Sequence, residues 1–301
     1  MPQPSPTEPE ILAFQARVDG FYPPDAVNAS IEQQRSWYDA LCAAFDAPLP
    51  DGLVHEDGFL CGVGVRFYRP ARRTARATIL YLHGGGFVVG SLDSHHAICA
   101  ELAHAAEAEL VAVDYRRAPE HLHPAASDDG MQVLRQLIVD GRRVVVMGDS
   151  AGGNLAAGLA IRARNEGLFG IVGQVLVYPG LGGDLSTGSY VEMADAPGLT
   201  TADVAYYRTL YAARDDDVVA YPLRAQRFDD LPPAYITSAH FDPLRDDGRL
   251  YAARLAEAGI DVVFREEQQM VHAWLRARHM SPGARAGFKA LCDGVAALAR
   301  R

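Results

Sequence analysis

Val144-Val145-Val146-Met147-Gly148-Asp149-Ser150-Ala151-Gly152-Gly153-Asn154 is the stretch that decides how this chain folds. Its β-branched start predicts a short buried strand, and the small residues from Asn154 to Ala160 predict a helix, so a Gly-x-Ser-x-Gly turn stands between the two. A serine at such a turn takes a strained backbone conformation. Gly148 and Gly152 leave room for the chain to pass close to itself, and the strain lifts the hydroxyl clear of the sheet edge. Ser150 is therefore the candidate nucleophile, with Asp149 and Ala151 as its neighbours in the motif.

Upstream, Ala77 to Leu82 is continuously apolar and suits the middle of a parallel sheet. It runs straight into His83-Gly84-Gly85-Gly86-Phe87, where consecutive glycines let backbone N–H groups face a cavity with no side chain in the way. Gly84, Gly85 and Ala151 are the expected oxyanion donors, Gly86 extends the loop, and His83 is expected to brace it by hydrogen bonding. Downstream, a serine hydrolase of this order needs an acid and then a histidine at successive strand ends. Asp242 follows the strand Ala234 to Ser238, and His272 follows the strand Val262 to Glu266. On local sequence alone Asp242 reads first as a helix N-cap ahead of Pro243. His240 and His279 are competing bases, while Asp246 and Asp247 are expected to be solvated on the following helix.

From Ala77 onward strand and helix patterns alternate. Leu110–Val113, Gln174–Tyr178 and the two strands above are separated by helical stretches at Ala125–Val139, Asn154–Asn165 and Leu244–Ala258, and Ala284–Arg300 closes the chain. Alternation of this kind predicts a doubly wound α/β fold with a mostly parallel central sheet flanked by helices and sites beyond the C-terminal strand ends. Gly52 to Pro70 alternates with Val63, Val65 and Phe67 on one face and predicts an antiparallel start. Residues 1–8 are proline-rich and expected to order only by packing on something else. Two helices, Glu10–Val18 and Ser30–Phe45, follow, the second opened by a Ser30-x-x-Gln33 capping box. An irregular interval, Leu181 to Pro233, with a helix at Thr201–Tyr211, reads as an insertion that shares a helical cap with them.

Composition narrows the function. Among 301 residues, 38 acidic against 28 basic side chains give a net charge of -10 without a long single-sign block, which argues against nucleic-acid and anionic-membrane partners. The four cysteines are scattered and expected to be reduced, Lys289 is the only lysine, and no Ser-x-x-Lys, His-Glu-x-x-His, P-loop or dinucleotide motif occurs. His95-His96 and His121-Leu122-His123 lack acidic partners at ligand spacing, so neither a metal nor another cofactor is expected. The N-terminus has neither a basic nor an apolar leader region, from which a cytoplasmic location is expected.

Four motifs in order, His83–Phe87, Tyr115-Arg116-Arg117-Ala118-Pro119-Glu120-His121, Gly148–Asn154 and Asp242-Pro243-Leu244-Arg245-Asp246, resemble the hormone-sensitive-lipase branch of the α/β-hydrolases, the bacterial type IV esterases. Ile31–Tyr38 and Gly90–His95 are similar to bacterial acetyl esterases. The resemblance implies the α/β-hydrolase fold, with residues 1–50 as a helical cap segment, 51–301 as the catalytic domain and 181–233 contributing to the cap. It also implies a Ser150–His272–Asp242 triad, short acyl esters as substrates and a possible homodimer. An amidase or arylformamidase using the same triad is the alternative; plant hormone receptors on this scaffold lack the catalytic histidine that is present here as His272. Two positions depart from the family's pattern, Arg117 where leucine is common and Ala273-Trp274 where Gly-Phe is common.

Overall fold

Alternate residues of the central strands point to opposite sides of the sheet, and because both sides are apolar, both must be covered. In the computed structural model, which describes residues 5–23 and 26–301, two helices come first, α1 (Pro9–Asp19) and α2 (Ile31–Ala44). Then follow β1 (Val54–Leu60), β2 (Val63–Arg69), β3 (Ala77–Leu82), α3 (His96–Ala106), β4 (Leu110–Asp114), α4 (Ala125–Val139), β5 (Arg143–Asp149), α5 (Ala151–Asn165) and β6 (Ile171–Val177). The insertion holds α6 (Ser189–Glu192) and α7 (Thr201–Tyr211), and the chain finishes with β7 (Ala234–Phe241), α8 (Arg245–Glu257), β8 (Val262–Val271) and α9 (Pro282–Ala299). The eight strands form one sheet in the order β1-β2-β4-β3-β5-β6-β7-β8. Pairings of β1 with β2 and β2 with β4 are antiparallel and all others parallel.

Ile79 and Tyr81 of β3 and Val145 and Met147 of β5 belong to one core, under α3 and α9. Leu80, Leu82, Val144 and Val146 belong to the other, under α4, α5 and α8. Ile11, Phe14, Leu41 and Phe45 of the first two helical segments bury themselves in the α3–α9 core, so the N-terminal 50 residues are packed into the same hydrophobic unit as the sheet. Val63 and Val65 do share a core, with Phe67 packed beside them.

Helix α3 has no strong periodic signature, and only the need for a crossover between parallel β3 and β4 points to it. Ser30 caps α2 by accepting from Gln33 N–H, a single cap rather than the reciprocal box. Of the proline-rich start, residues 1–4 lie outside the described residues, whereas the Glu8 carboxylate accepts from Gly283 N–H at 3.1 Å and ties the segment to α9. Cys42, Cys99 and Cys292 are buried, Cys61 is exposed, and all four are free thiols. No helix among the described residues is long and apolar enough to cross a membrane.

Candidate active site

Ser150 sits between β5 and α5 with φ 54° and ψ -118°, a conformation that costs an L-residue about 1–3 kcal/mol. The surrounding chain fixes it. Its N–H donates to the Val177 carbonyl at 2.9 Å, and its own carbonyl accepts from Asn154 N–H at 3.1 Å. A methyl group on Gly152 would stand 1.9 Å from the Leu82 carbonyl oxygen, so only glycine lets α5 pass that close to β3. Helix α5 therefore starts directly after Ser150, three residues earlier than its composition predicts, and points its N-terminus at the serine.

His272, in the turn that leaves β8, lies with Nε2 2.9 Å from Ser150 Oγ. Its Nδ1 lies 2.7 Å from Asp242 Oδ2. Asp242 is fully buried, and its other oxygen accepts from Leu244 N–H at 2.8 Å. Both local readings of this residue thus have a counterpart, since one carboxylate oxygen organises the start of α8 while the other faces the imidazole. Because an ionised carboxylate only accepts, Nδ1 carries the proton and Nε2 offers its lone pair to the serine hydroxyl. Tyr178 packs its ring 4.8 Å from the imidazole and helps hold it. The competing histidines are elsewhere: His240 pairs with Glu266 at 2.6 Å and His279 with Glu101 at 3.0 Å.

The glycine loop differs from expectation at one donor. Gly84 N–H is already committed to Asp149 Oδ1 at 2.9 Å, so it is withdrawn from the cavity. Gly85 and Gly86 line the cavity with Ala151, the first residue of α5, and no acceptor takes their N–H groups among the described residues. The reason is chemical, because a carboxylate sits beside the nucleophile and takes the first amide in reach. Burial alone would raise Asp149, but His95, the Tyr81 hydroxyl and Arg276 outweigh it and hold the carboxyl far below the usual range. Tyr81 donates to it at 2.7 Å, and His95 Nε2 lies 3.3 Å away. His83 does brace the loop: its Nδ1 meets the Gly84 carbonyl at 2.8 Å, its ring stacks on Tyr115, and burial beside His95 lowers it to about 3.

Asp247 overturns the expectation of a solvated pair. Its carboxylate is buried and accepts from Leu181 N–H at 2.6 Å, Gly183 N–H at 3.3 Å and the Tyr190 hydroxyl at 3.0 Å. Asp246 also bonds into the fold, accepting from Ser189 N–H at 2.9 Å. No motif points to Arg276, which is buried four residues after His272, donates to the Ser94 carbonyl at 3.0 Å and to the Tyr38 hydroxyl at 2.9 Å, and lines the cavity. The unusual Arg117 donates to the Gly90 carbonyl just beyond the glycine loop. Of the histidine pairs, His95 belongs to the Asp149 network and His123 bonds Tyr211 and Asp217.

Ser150 and His272 open onto a cavity of about 430 Å³. Its far walls come from α1 and α2, with Phe14 and Tyr38, and from α7, with Val204 and Tyr207. Residues 79–276 match the family model of the alpha/beta hydrolase fold. The chain belongs to this family, in its hormone-sensitive-lipase-like type IV branch. Over 242 residues, 76% of this chain and 76% of the relative, this hydrolase is 42% identical to the esterase LipI of Mycobacterium tuberculosis. It is 40% identical over 266 residues to the carboxylesterase NlhH of the same organism, covering 84% and 82% of the two chains. Among solved structures, the ester hydrolase EH1AB1 from the metagenome of Lake Arreo superposes with a TM-score of 0.89 at 30% identity, over 96% of this chain and 98% of that one. With relatives of this kind, the hydrolase is a carboxylic ester hydrolase.

Proposed function

We propose that this hydrolase cleaves esters of short acyl chains through an acyl-enzyme carried on Ser150. The observation that carries the reading is the unbroken hydrogen-bonded line from Asp242 through His272 to Ser150 at the mouth of the cavity. His272 Nε2 takes the serine proton as Oγ attacks the ester carbonyl. Asp242 holds the tautomer and stabilises the imidazolium that forms. Gly85, Gly86 and Ala151 N–H groups receive the oxyanion, and the imidazolium returns the proton to the leaving alkoxide. Water, deprotonated by His272, then releases the acid.

Cavity size supports the short-chain preference. About 430 Å³ walled largely by apolar and aromatic side chains suits a small organic ester with a short acyl chain better than a long-chain lipid. The test is hydrolysis of p-nitrophenyl acetate, butyrate, octanoate and laurate by the wild type and by Ser150→Ala. Strong turnover of the two shortest esters, falling by about 10³ or more in the variant, is expected. Activity that survives in Ser150→Ala would remove the serine from its role, and anilide turnover exceeding ester turnover would move the reading to an amidase.

The helical segments 1–50 and 181–233 are assigned to the cap because both wall the cavity. A cytoplasmic location and a homodimer complete the proposal. The free edge of the sheet at β8, with its outward Val263 about half exposed, is a surface that a second copy would cover. Light scattering at the chain mass rather than twice that mass would reject the dimer.

A further inference from the structure

Three consecutive residues of the oxyanion loop take positive φ: Gly85 at 123°, Gly86 at 59° and Phe87 at 66°. The first two are glycines and accept this freely. Phe87 is not, and a bulky residue in the left-handed region persists only where its surroundings over-determine it. The surroundings come from α7. The Phe87 ring lies flat on Tyr211, centroids 3.7 Å apart and planes 7° from parallel. One helical turn earlier, the Tyr207 ring covers Gly86 so closely that a methyl group there would stand 2.4 Å from it. Tyr207 and Leu210 also pack on Val88 and Val89, the residues that follow the loop.

Tyr211 is itself anchored. Its hydroxyl meets His123 Nδ1 at 2.9 Å, His123 Nε2 meets Asp217 at 2.9 Å, and His123 N–H donates to the Tyr211 carbonyl at 3.1 Å. Helix α7 is closed at its start by a reciprocal capping box between Thr200 and Asp203. On the loop's other side, Phe87 is pinned by its carbonyl, which accepts from Ala118 N–H at 2.9 Å, and Val88 and Val89 N–H groups fold back on the Gly85 carbonyl at 3.0 and 2.9 Å. The loop is thus clamped between the body of the protein and one face of α7.

We infer that Tyr207 and Tyr211 are positioning residues for the oxyanion hole, setting through Gly86 and Phe87 where the Gly85 and Gly86 N–H groups point. The inference rests on the proposed serine mechanism and goes beyond it, because it makes α7 part of the chemical step as well as a wall of the pocket. Stabilisation of an oxyanion needs donors fixed before the charge forms, so a loop released from α7 binds the ester as before and stabilises the transition state less.

Tyr211→Leu and Tyr207→Leu test this, with Tyr211→Phe as the conservative partner and circular dichroism melts to establish that each variant is folded. For p-nitrophenyl butyrate, both leucine variants are expected to lose about 10-fold or more in kcat with KM within about 3-fold, while Tyr211→Phe, which keeps the ring, stays within about 3-fold of wild type. A trifluoromethyl ketone reports on the hole directly. Ser150 Oγ bonds its carbonyl carbon, the carbonyl electron pair moves onto oxygen as the oxyanion, and the serine proton passes to His272. Its inhibition constant is expected to rise in step with the loss of kcat/KM. In a Phe87→Gly background, where glycine meets the backbone requirement alone, Tyr211→Leu is expected to cost less than about 3-fold. A raised KM with unchanged kcat and unchanged inhibitor affinity would overturn the inference and leave the tyrosines as pocket wall. So would an equal effect of Tyr211→Leu in both backgrounds. Failure of the mechanism itself would show separately, as Ser150→Ala retaining activity in an otherwise wild-type chain.

Discussion

Asp247 shows how a single carboxylate is held in the interior by the donors and the cation around it. Burial pushes it up to about 6, against the opposing pull of the Leu181 and Gly183 N–H groups, Arg208 and Tyr190. A carboxyl raised in the folded state binds its proton more tightly there than in the unfolded chain. Its contribution to stability is therefore greatest below about pH 4 and is lost as pH rises through about 6. In Asp247→Asn, which keeps an acceptor and carries no charge, stability relative to wild type should climb between pH 4 and 6 and level off above. Urea denaturation across that range checks it, and a pH-independent difference would refute the assignment. Gly152 offers a sharper contrast. Because its position against Leu82 leaves no space for a methyl group, Gly152→Ala should cost ~3 kcal/mol or more and take ester hydrolysis with it, read as a lowered urea midpoint and lost turnover.

Among the elements, α2 is tied to the glycine loop through one side chain, in addition to its apolar seat in the α3–α9 core. Arg35 donates to the Val88 carbonyl at 2.8 Å and the Ala118 carbonyl at 3.1 Å, both beside the glycine loop, and forms a two-bonded pair with Glu120. The pair with Arg35 brings Glu120 down to about 2. Charged hydrogen bonds to otherwise unsatisfied carbonyls are worth more than an exposed ion pair, so Arg35→Ala should destabilise by about 2 kcal/mol. Amide exchange should then quicken over residues 31–44 well before it does in β5. Equal protection of both elements would mean that apolar packing alone seats α2. Helix α7 behaves differently, held by rings and a capping box, and its loosening is expected to appear in catalysis first.

At the scale of the whole molecule, the N-terminal segment and the sheet form one core. Ile11, Phe14, Leu41 and Phe45 are each under 9% exposed in the same cluster as Tyr81 and Trp274. At about 1.5–3 kcal/mol per buried side chain, these four account for roughly 6–12 kcal/mol, as much as the whole net stability of a typical domain. A chain of residues 51–301 alone is therefore expected to lose cooperative unfolding and to bind a hydrophobic dye, with ester hydrolysis abolished. A truncated chain that melts cooperatively near the wild-type temperature would make residues 1–50 a detachable cap. The division into cap and catalytic domain describes where the cavity walls come from, while the core runs across it.

The amino-acid sequence by itself determined the layered α/β fold, the strand and helix alternation, and the order of Ser150, Asp242 and His272, because each is written in local periodicity, in glycine positions or in motif spacing. It also placed α4 and α7 at their observed ends. Tertiary structure decided which amides face the cavity, since Gly84 is taken by an aspartate 65 residues away and Gly86 is left free. It likewise decided that Asp247 is buried, because the N–H groups that donate to its carboxylate come from a loop 64 and 66 residues earlier in the chain. The stacking of Phe87 on Tyr211 has no sequence signature at all. Local pattern encodes what a residue does to its own backbone, and these three properties depend on which distant backbone and ring surfaces folding brings alongside.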